Sequence, residues 1–339
     1  MKKKYLGLLS LACVVGTLAA CGNPAGGNRE LALGVGMISA APALSYGAPQ
    51  LELNFATALY EGDKVVATLV DVYQIPLSKD AAAVDTTKDY ATETNVLTKR
   101  DRHDGYGMLG TSQANGIGKE WYDQADALET YAATHTTWNE ADADLTAGCS
   151  MVTTDLFAAI TEAKTNINEK VSVASGTYTI ALGHKISFEA NESVLTQVNI
   201  SVIGLLLDSS SKVVTSYLDE IQIPLTFTAG AENPYSITPT NAYGSPTTQY
   251  NYKGQVIASK KELGYDYDML ETSQANGIGK EWFEQAEAFE DYLVGKKVEE
   301  INLKDSTLLA GCSMYAGSYE AACDNAVDST LYNTKSVTL

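Results

Sequence analysis

Apolar positions along the chain switch between two periods. Val/Ile/Leu/Thr-rich runs cover residues 51–55 and 64–74, and again 194–207 and 212–222. The turn-formers Glu61-Gly62-Asp63 and Asp208-Ser209-Ser210-Ser211 join each pair, which predicts two β-hairpins. Further on, Trp121, Ala125, Leu128 and Ala132 keep a spacing of 3–4, as do Trp282, Ala286, Phe289 and Leu293. This is the signature of an amphipathic helix. Asp123, Asp126 and Glu129, and their counterparts Glu284, Glu287 and Glu290, take the remaining positions and are expected to face water. A second helix is predicted over Val152, Leu156, Ile160 and Ala163, and a weaker one over Tyr319, Cys323 and Ala326.

These elements recur because the chain repeats itself. Thr111-Ser112-Gln113-Ala114-Asn115-Gly116-Ile117-Gly118-Lys119-Glu120-Trp121 returns letter for letter as residues 272–282. Gln74-Ile75-Pro76-Leu77 returns as Gln222-Ile223-Pro224-Leu225, and Ala147-Gly148-Cys149-Ser150-Met151 as Ala310-Gly311-Cys312-Ser313-Met314. Three anchors in one order, at a spacing far longer than a solenoid repeat, imply a duplicated domain. The expected fold is α+β: two tandem copies of an antiparallel sheet with helices, over residues 31–168 and 169–339. Extra length in the second copy falls in residues 232–254, rich in proline and tyrosine, and is expected to form a long loop.

The N-terminus reads as a processing signal. Lys2, Lys3 and Lys4 precede an apolar stretch too short to span a membrane as a mature helix, closing in Leu18-Ala19-Ala20-Cys21. Small residues ahead of a cysteine resemble a lipoprotein lipobox. That implies cleavage after residue 20, lipidation of Cys21 with fatty acyl chains such as palmitate, and a flexible tether over residues 21–30 on the extracytoplasmic face of the cell membrane.

Composition narrows the function. The 339 residues carry Lys+Arg 23 against Asp+Glu 42, a net charge of −19, and loss of the leader lysines makes the mature chain more acidic. Nucleic acid and anionic lipid are therefore poor partners, and the lipid anchor is the expected membrane contact. There is no Cys-x-x-Cys-His for haem, and no G-x-G-x-x-G after a strand for a dinucleotide. The three histidines, His103, His135 and His184, are far apart, so no metal site is expected. No catalytic set assembles either; His103, between Asp101 and Asp104, reads as part of a solvated charge cluster. Cys149, Cys312 and Cys323 are expected to be buried free thiols.

The A-G-C-S segments carry the remaining chemistry. Gly148 and Gly311 permit a tight turn ahead of a predicted helix, placing Ser150 and Ser313 near its N-terminus. There a serine serves either as a helix cap or as the anchor of a negative group. The tandem lipoprotein, with I-G-K-E-W-x-x-Q-A in each copy, resembles the PplA-type flavinylated lipoproteins of Gram-positive extracellular electron transfer, built from tandem FMN-binding domains. That resemblance implies FMN joined by a phosphoester to the last residue of a D-x-x-[ST]-G-A-[ST] motif by an ApbE-type flavin transferase. It points to Ser150, with Asp144 and Gly148, in copy one and to Ser313, with Gly311, in copy two. Copy two has Thr307 at the acidic position, with Asp305 two residues earlier. Electrons would pass from a membrane donor to extracellular acceptors. The chain would be a redox carrier, not a dedicated catalyst. The alternative is a non-flavinylated surface lipoprotein with a binding or adhesion role. Trp121 and Trp282 are expected to be core residues.

The lipobox makes one direct prediction. Cys21→Ala should shift the protein out of the membrane fraction or leave it unprocessed; wild-type processing and anchoring of this variant would refute the assignment.

Overall fold

The computed structural model describes residues 27–45, 48–77, 96–191, 194–237 and 257–339. The leader and Cys21 lie outside the described residues, as does most of the 232–254 segment. Two antiparallel sheets form the body. In the first, β1 (Arg29–Ser39) pairs with β3 (Ala48–Glu61), and β3 pairs on its other edge with β4 (Lys64–Pro76). The short strands β2 (Ala43–Ser45) and β5 (Val171–Val173) add to β3 and β1. The second sheet runs β8 (Val213–Phe227), β7 (Val194–Leu207), β6 (Thr177–Asn191), β10 (Thr334–Thr338), with β9 (Tyr235–Ile237) outside β8.

Three expectations shift. Arg29 and Glu30, placed in the tether, belong to β1, where Arg29 grips Glu61 through Nε and Nη2 at 2.9 and 2.8 Å. The segment expected as one long loop opens with β9. Strand β5 lies past residue 168, yet its partner is β1, so the first sheet draws its last strand from beyond the expected boundary.

Between β4 and β5 run α1 (Lys99–Arg102), α2 (Leu109–Ala114), α3 (Trp121–Thr134), α4 (Ala143–Thr146) and α5 (Thr154–Thr165). Between β9 and β10 the same series returns as α6 (Lys260–Leu263), α7 (Leu270–Ala275), α8 (Trp282–Leu293), α9 (Ser306–Leu309) and α10 (Gly317–Val327). Helices α3 and α5 cover one face of the first sheet through Trp121, Leu128, Leu156 and Ile160. Helices α8 and α10 cover one face of the second through Trp282, Phe289, Tyr319 and Cys323. The other two faces bury each other: Leu31, Leu33, Phe55, Leu69 and Tyr73 pack in one core with Val198, Ile200, Val202, Tyr217 and Ile221. The layers are therefore helix, sheet, sheet, helix. Small residues seat the helices. A Cβ on Gly36 would fall 2.1 Å from the carbonyl oxygen of Ala159, and one on Gly183 would fall 1.9 Å from that of Ala322. Cys149, Cys312 and Cys323 are all free and buried, as expected.

The acids of the two long helices do not all face water. Glu129 is buried, accepts from the backbone N–H of Val70 (3.0 Å) and meets Arg100 at 2.5 Å and Lys335 at 2.8 Å. Glu290 repeats this with Leu218 N–H and Lys261, each at 2.6 Å. The polar pattern marked these positions correctly, but their charge is spent inside.

Polar groups also sit where the halves meet, in two related clusters. The N–H of Met37 donates to Glu162 Oε2 at 2.5 Å, and the N–H of His184 donates to Asn325 Oδ1 at 3.0 Å. This makes Met37 the counterpart of His184 and Glu162 the counterpart of Asn325. Burial, followed by the hydrogen bond to Glu262, pushes the Glu162 carboxyl up from 4.5 to about 9. Between those two values the folded state holds a proton that the unfolded chain releases, so stability falls as pH rises across this window. Glu162→Gln keeps an acceptor for Met37 and copies the amide of Asn325. It should flatten the decline and stabilise the protein above pH 5, increasingly so toward pH 8, in urea unfolding measured over pH 4.5–9. An unchanged slope would refute the buried neutral carboxyl.

Candidate cofactor-attachment site

The letter-for-letter repeat folds into a brace. Ser112 Oγ donates to the carbonyl of Lys119 (2.5 Å) and accepts from its N–H (2.7 Å), closing a loop in which Gly116 and Gly118 adopt φ of 83° and 64°. Only glycine takes such angles without strain. Ser273 closes the second loop with Lys280 at the same 2.5 and 2.7 Å, and Gly277 and Gly279 stand at 84° and 67°. Glu120, just before α3, accepts from Met108 and Leu109 N–H at 2.7 and 3.1 Å. Glu281 does so from Met269 and Leu270 at 2.8 and 3.2 Å.

One turn into α3, the fully buried Gln124 joins this brace to the second repeated motif. Its Nε2 donates to Lys119 O (3.1 Å), while its Oε1 accepts from the N–H of Ser150 (2.8 Å) and from Ser150 Oγ (3.2 Å). Gln285 makes the same three bonds, to Lys280 O (3.1 Å) and to Ser313 N–H and Oγ (2.8 and 3.1 Å). The turn itself needs glycine for space: a Cβ on Gly148 would fall 2.8 Å from Ala127 Cβ and 3.7 Å from Lys119 Nζ. On Gly311 it would fall 2.8 Å from Ala288 Cβ and 3.9 Å from Lys280 Nζ. Each A-G-C-S turn therefore lies flat on a helix, with a lysine ammonium beside it. Cys149 and Cys312 point inward, and burial raises both thiols above their usual pKa.

Two sequence expectations change here. Helix α5 begins at Thr154 and α10 at Gly317, so Ser150 and Ser313 precede the helix starts and are held by glutamine instead of by free helix N–H groups. Asp144 does not turn toward Ser150; its carboxylate is exposed, 3.4 Å from His135 Nε2. The acid common to both copies is the cap of the short helix ahead of the turn. Asp142 accepts from Asp144 N–H at 3.0 Å, and Asp305 from Thr307 N–H at 2.8 Å. Asp305 thus matches Asp142, and the two copies do not differ in this acid. Gln124, Lys119 and Glu120 lay inside the repeat that the sequence displayed. Their identity in two copies was the signal; their roles needed the fold.

Beside Ser150 the chain continues as Met151 and the exposed Val152 along a cleft of about 180 Å³, bounded by Trp121, Lys99, Tyr106 and Leu156. The second copy fills the matching positions differently. Glu220 stands where Val72 lines the cleft, paired with Lys260 at 2.6 Å. Tyr319 stands for Leu156 and accepts from Trp282 Nε1 at 3.1 Å. Trp121 and Trp282 are both buried core residues. His103 is less solvated than expected: it stacks between Tyr122 and Tyr332, with centroids 3.7 and 3.9 Å away.

The bracket yields a local prediction. Gln124→Ala strands the Ser150 N–H and leaves the Lys119 carbonyl with the Ser112 hydroxyl alone, which should destabilise the protein by about 1–3 kcal/mol. Hydrogen exchange at the Ser150 amide should rise at least tenfold while the Ser313 amide is unchanged. Equal exchange in wild type and variant would show that the glutamine does not hold the turn. Comparison with protein-family models, curated proteins and solved structures gave no match, so the functional reading rests on this geometry.

Proposed function

We propose that this chain is a lipid-anchored, extracytoplasmic electron carrier bearing FMN through a phosphoester at Ser150, and to a lesser extent at Ser313, in two FMN-binding-like halves. The observation that carries this reading is the convergence of two of the exactly repeated motifs on one half-buried serine per half, through matching bonds from a buried glutamine. A serine used only as a surface residue needs no such support. The residues suit the group. Esterification of Ser150 Oγ gives up its donated bond but leaves Gln124 holding the N–H, and the Lys119 ammonium beside Gly148 offers a counter-charge to a phosphate. Bound flavin supplies one- and two-electron redox chemistry. The chain supplies a rigid anchor, and the cleft along Met151 and Val152 offers apolar and aromatic surface for a ring system. Covalent attachment suits an exposed compartment, where a dissociated cofactor is lost. A membrane donor, extracellular acceptors and an ApbE-type transferase are the partners this reading requires.

Co-expression with such a transferase should add the mass of one or two FMN groups, each less one water. Ser150→Ala should remove the major increment and Ser313→Ala at most a minor one. Intact-mass spectra without any increment, under conditions that flavinylate a standard acceptor, would leave the binding or adhesion lipoprotein as the better reading.

A further inference from the structure

Asp71 on β4, Asp101 on α1 and His184 on β6 come from distant parts of the chain, and the packing of the two sheets brings their side chains together. His184 Nε2 lies 3.2 Å from Asp101 Oδ2 and 3.9 Å from Asp71 Oδ2, and one ligand atom from each residue falls within 4.8 Å of the others. All three side chains are at most 3% exposed. The remaining atoms of these groups are already engaged. Asp71 Oδ1 accepts from Val72 and Arg100 N–H at 2.7 and 3.0 Å, Asp101 Oδ1 faces Asn333 Nδ2 at 3.4 Å, and His184 Nδ1 meets Tyr73 OH at 2.7 Å. Asp71 Oδ2 and His184 Nε2 are left without a hydrogen bond of good geometry among the described residues, although the Thr98 hydroxyl lies close enough to favour the charged form of Asp71 and Asp101 Oδ2 close enough to favour that of His184. Buried polar atoms in native proteins rarely go unsatisfied. Here two orphans point into one space.

We propose that Asp71, Asp101 and His184 bind one divalent transition-metal ion of the Zn²⁺ class, clipping the first half of the chain to the second. Bonds of about 2.0–2.2 Å from a tetrahedral Zn²⁺ place ligand atoms roughly 3.3–3.6 Å apart, between the 3.2 Å of His184 to Asp101 and the 3.9 Å of His184 to Asp71. Two carboxylates and a neutral imidazole cancel the ion's charge, which removes the cost of burying two anions. The Arg100 guanidinium beside them is directed to Glu129 at 2.5 Å and to the carbonyl of Val70 at 3.2 Å. Tyr73 fixes the imidazole with Nε2 toward the carboxylates, the usual outer support of a metal-bound histidine. An imidazole ligand argues against Ca²⁺ and Mg²⁺, and the absence of thiolate from this set argues against Cu⁺. The opposite cluster is a built-in control. There Met37 replaces His184, Glu262 stands for Asp101, and Asp219 Oδ2 is satisfied by Ser259 Oγ at 2.6 Å. The stoichiometry should therefore be one ion per chain.

The test uses the full mature chain, stripped with chelator and titrated with Zn²⁺, with metal content read after buffer exchange; Co²⁺ serves as the spectroscopic probe. At least half an equivalent of Zn²⁺ should be retained, and Co²⁺ should give the intense visible bands of a tetrahedral site that Zn²⁺ abolishes. His184→Met, which borrows the residue of the opposite cluster, should weaken Zn²⁺ binding at least tenfold in protein whose circular dichroism shows it folded without metal. If that variant does not fold, Asp101→Asn carries the same tenfold criterion. Retention below half an equivalent in wild type, or a loss under tenfold in the folded variant, overturns the proposal. No step depends on the flavin reading, and the two can fail separately.

Discussion

Everything in this molecule is arranged around two sheets that bury the same face against each other. Ten side chains there (Leu31, Leu33, Phe55, Leu69 and Tyr73 against Val198, Ile200, Val202, Tyr217 and Ile221) represent on the order of 15–30 kcal/mol of transfer free energy. That exceeds the net stability of a typical domain. A half taken alone would present this face to water while its helices covered only the other. The two halves are therefore not two beads on a string. They are half-cores that complete each other, and the strands show it: β1 and β4 are buried along almost their whole length, with no alternation of inside and outside.

A shared core constrains any polar residue that faces it. The correspondence of the halves is visible in Asp71 and Asp219, whose Oδ1 atoms accept matching pairs of backbone N–H groups. Around them the two clusters have diverged. One holds a histidine opposite two carboxylates and an amide; the other holds a thioether, an acid cap and a carboxyl that keeps its proton at neutral pH. Removing one member of such a set costs more than the set contributes, because its partners are left charged and dry. That coupling explains how buried acids persist in a protein already rich in negative charge.

Much of this was legible in the sequence. The repeats pointed to a helix series that occurs twice, the 3–4 spacing located α3 and α8, and the apolar runs located the hairpins. Face-to-face packing of the halves was not legible, because a doubly buried strand and a singly buried one with a few extra apolar residues read alike. The edge strands β5 and β10 were missed because they are short and carry no alternation, although β5 decides where the first sheet ends. Glu129 and Glu290 sat at polar helix positions and were assigned to solvent; only the arrival of Arg100, Lys335 and Lys261 makes their burial tolerable. At the candidate site the sequence displayed the serines and glycines that the turn brings together, but not which acid the two copies share. Asp144 matched a motif by spacing, whereas the fold assigns the common structural role to Asp142 and Asp305, the caps of α4 and α9.

The two candidate attachment points are alike in the bonds that hold the serine and unlike in what lies beside it. The first copy keeps small apolar groups, Val72 and Leu156, next to Trp121, and a cleft remains along Met151 and Val152. In the second copy Glu220 and Tyr319 occupy those positions, tied to Lys260 and Trp282. A phosphoester needs only the turn and the nearby lysine, which both copies have. A flat aromatic ring needs adjoining surface as well, and it gains most where water is already poorly accommodated. Motif comparison alone ranks the serines by Asp144, an exposed acid that the second copy replaces with Thr307, whereas the capping acids Asp142 and Asp305 are common to both halves. Space beside the turn ranks them on different grounds, and the proposed flavin finds that space beside Ser150. The residues that hold the turn are the same in both halves, because a change there unmakes it, and the halves differ in the residues that shape its surroundings.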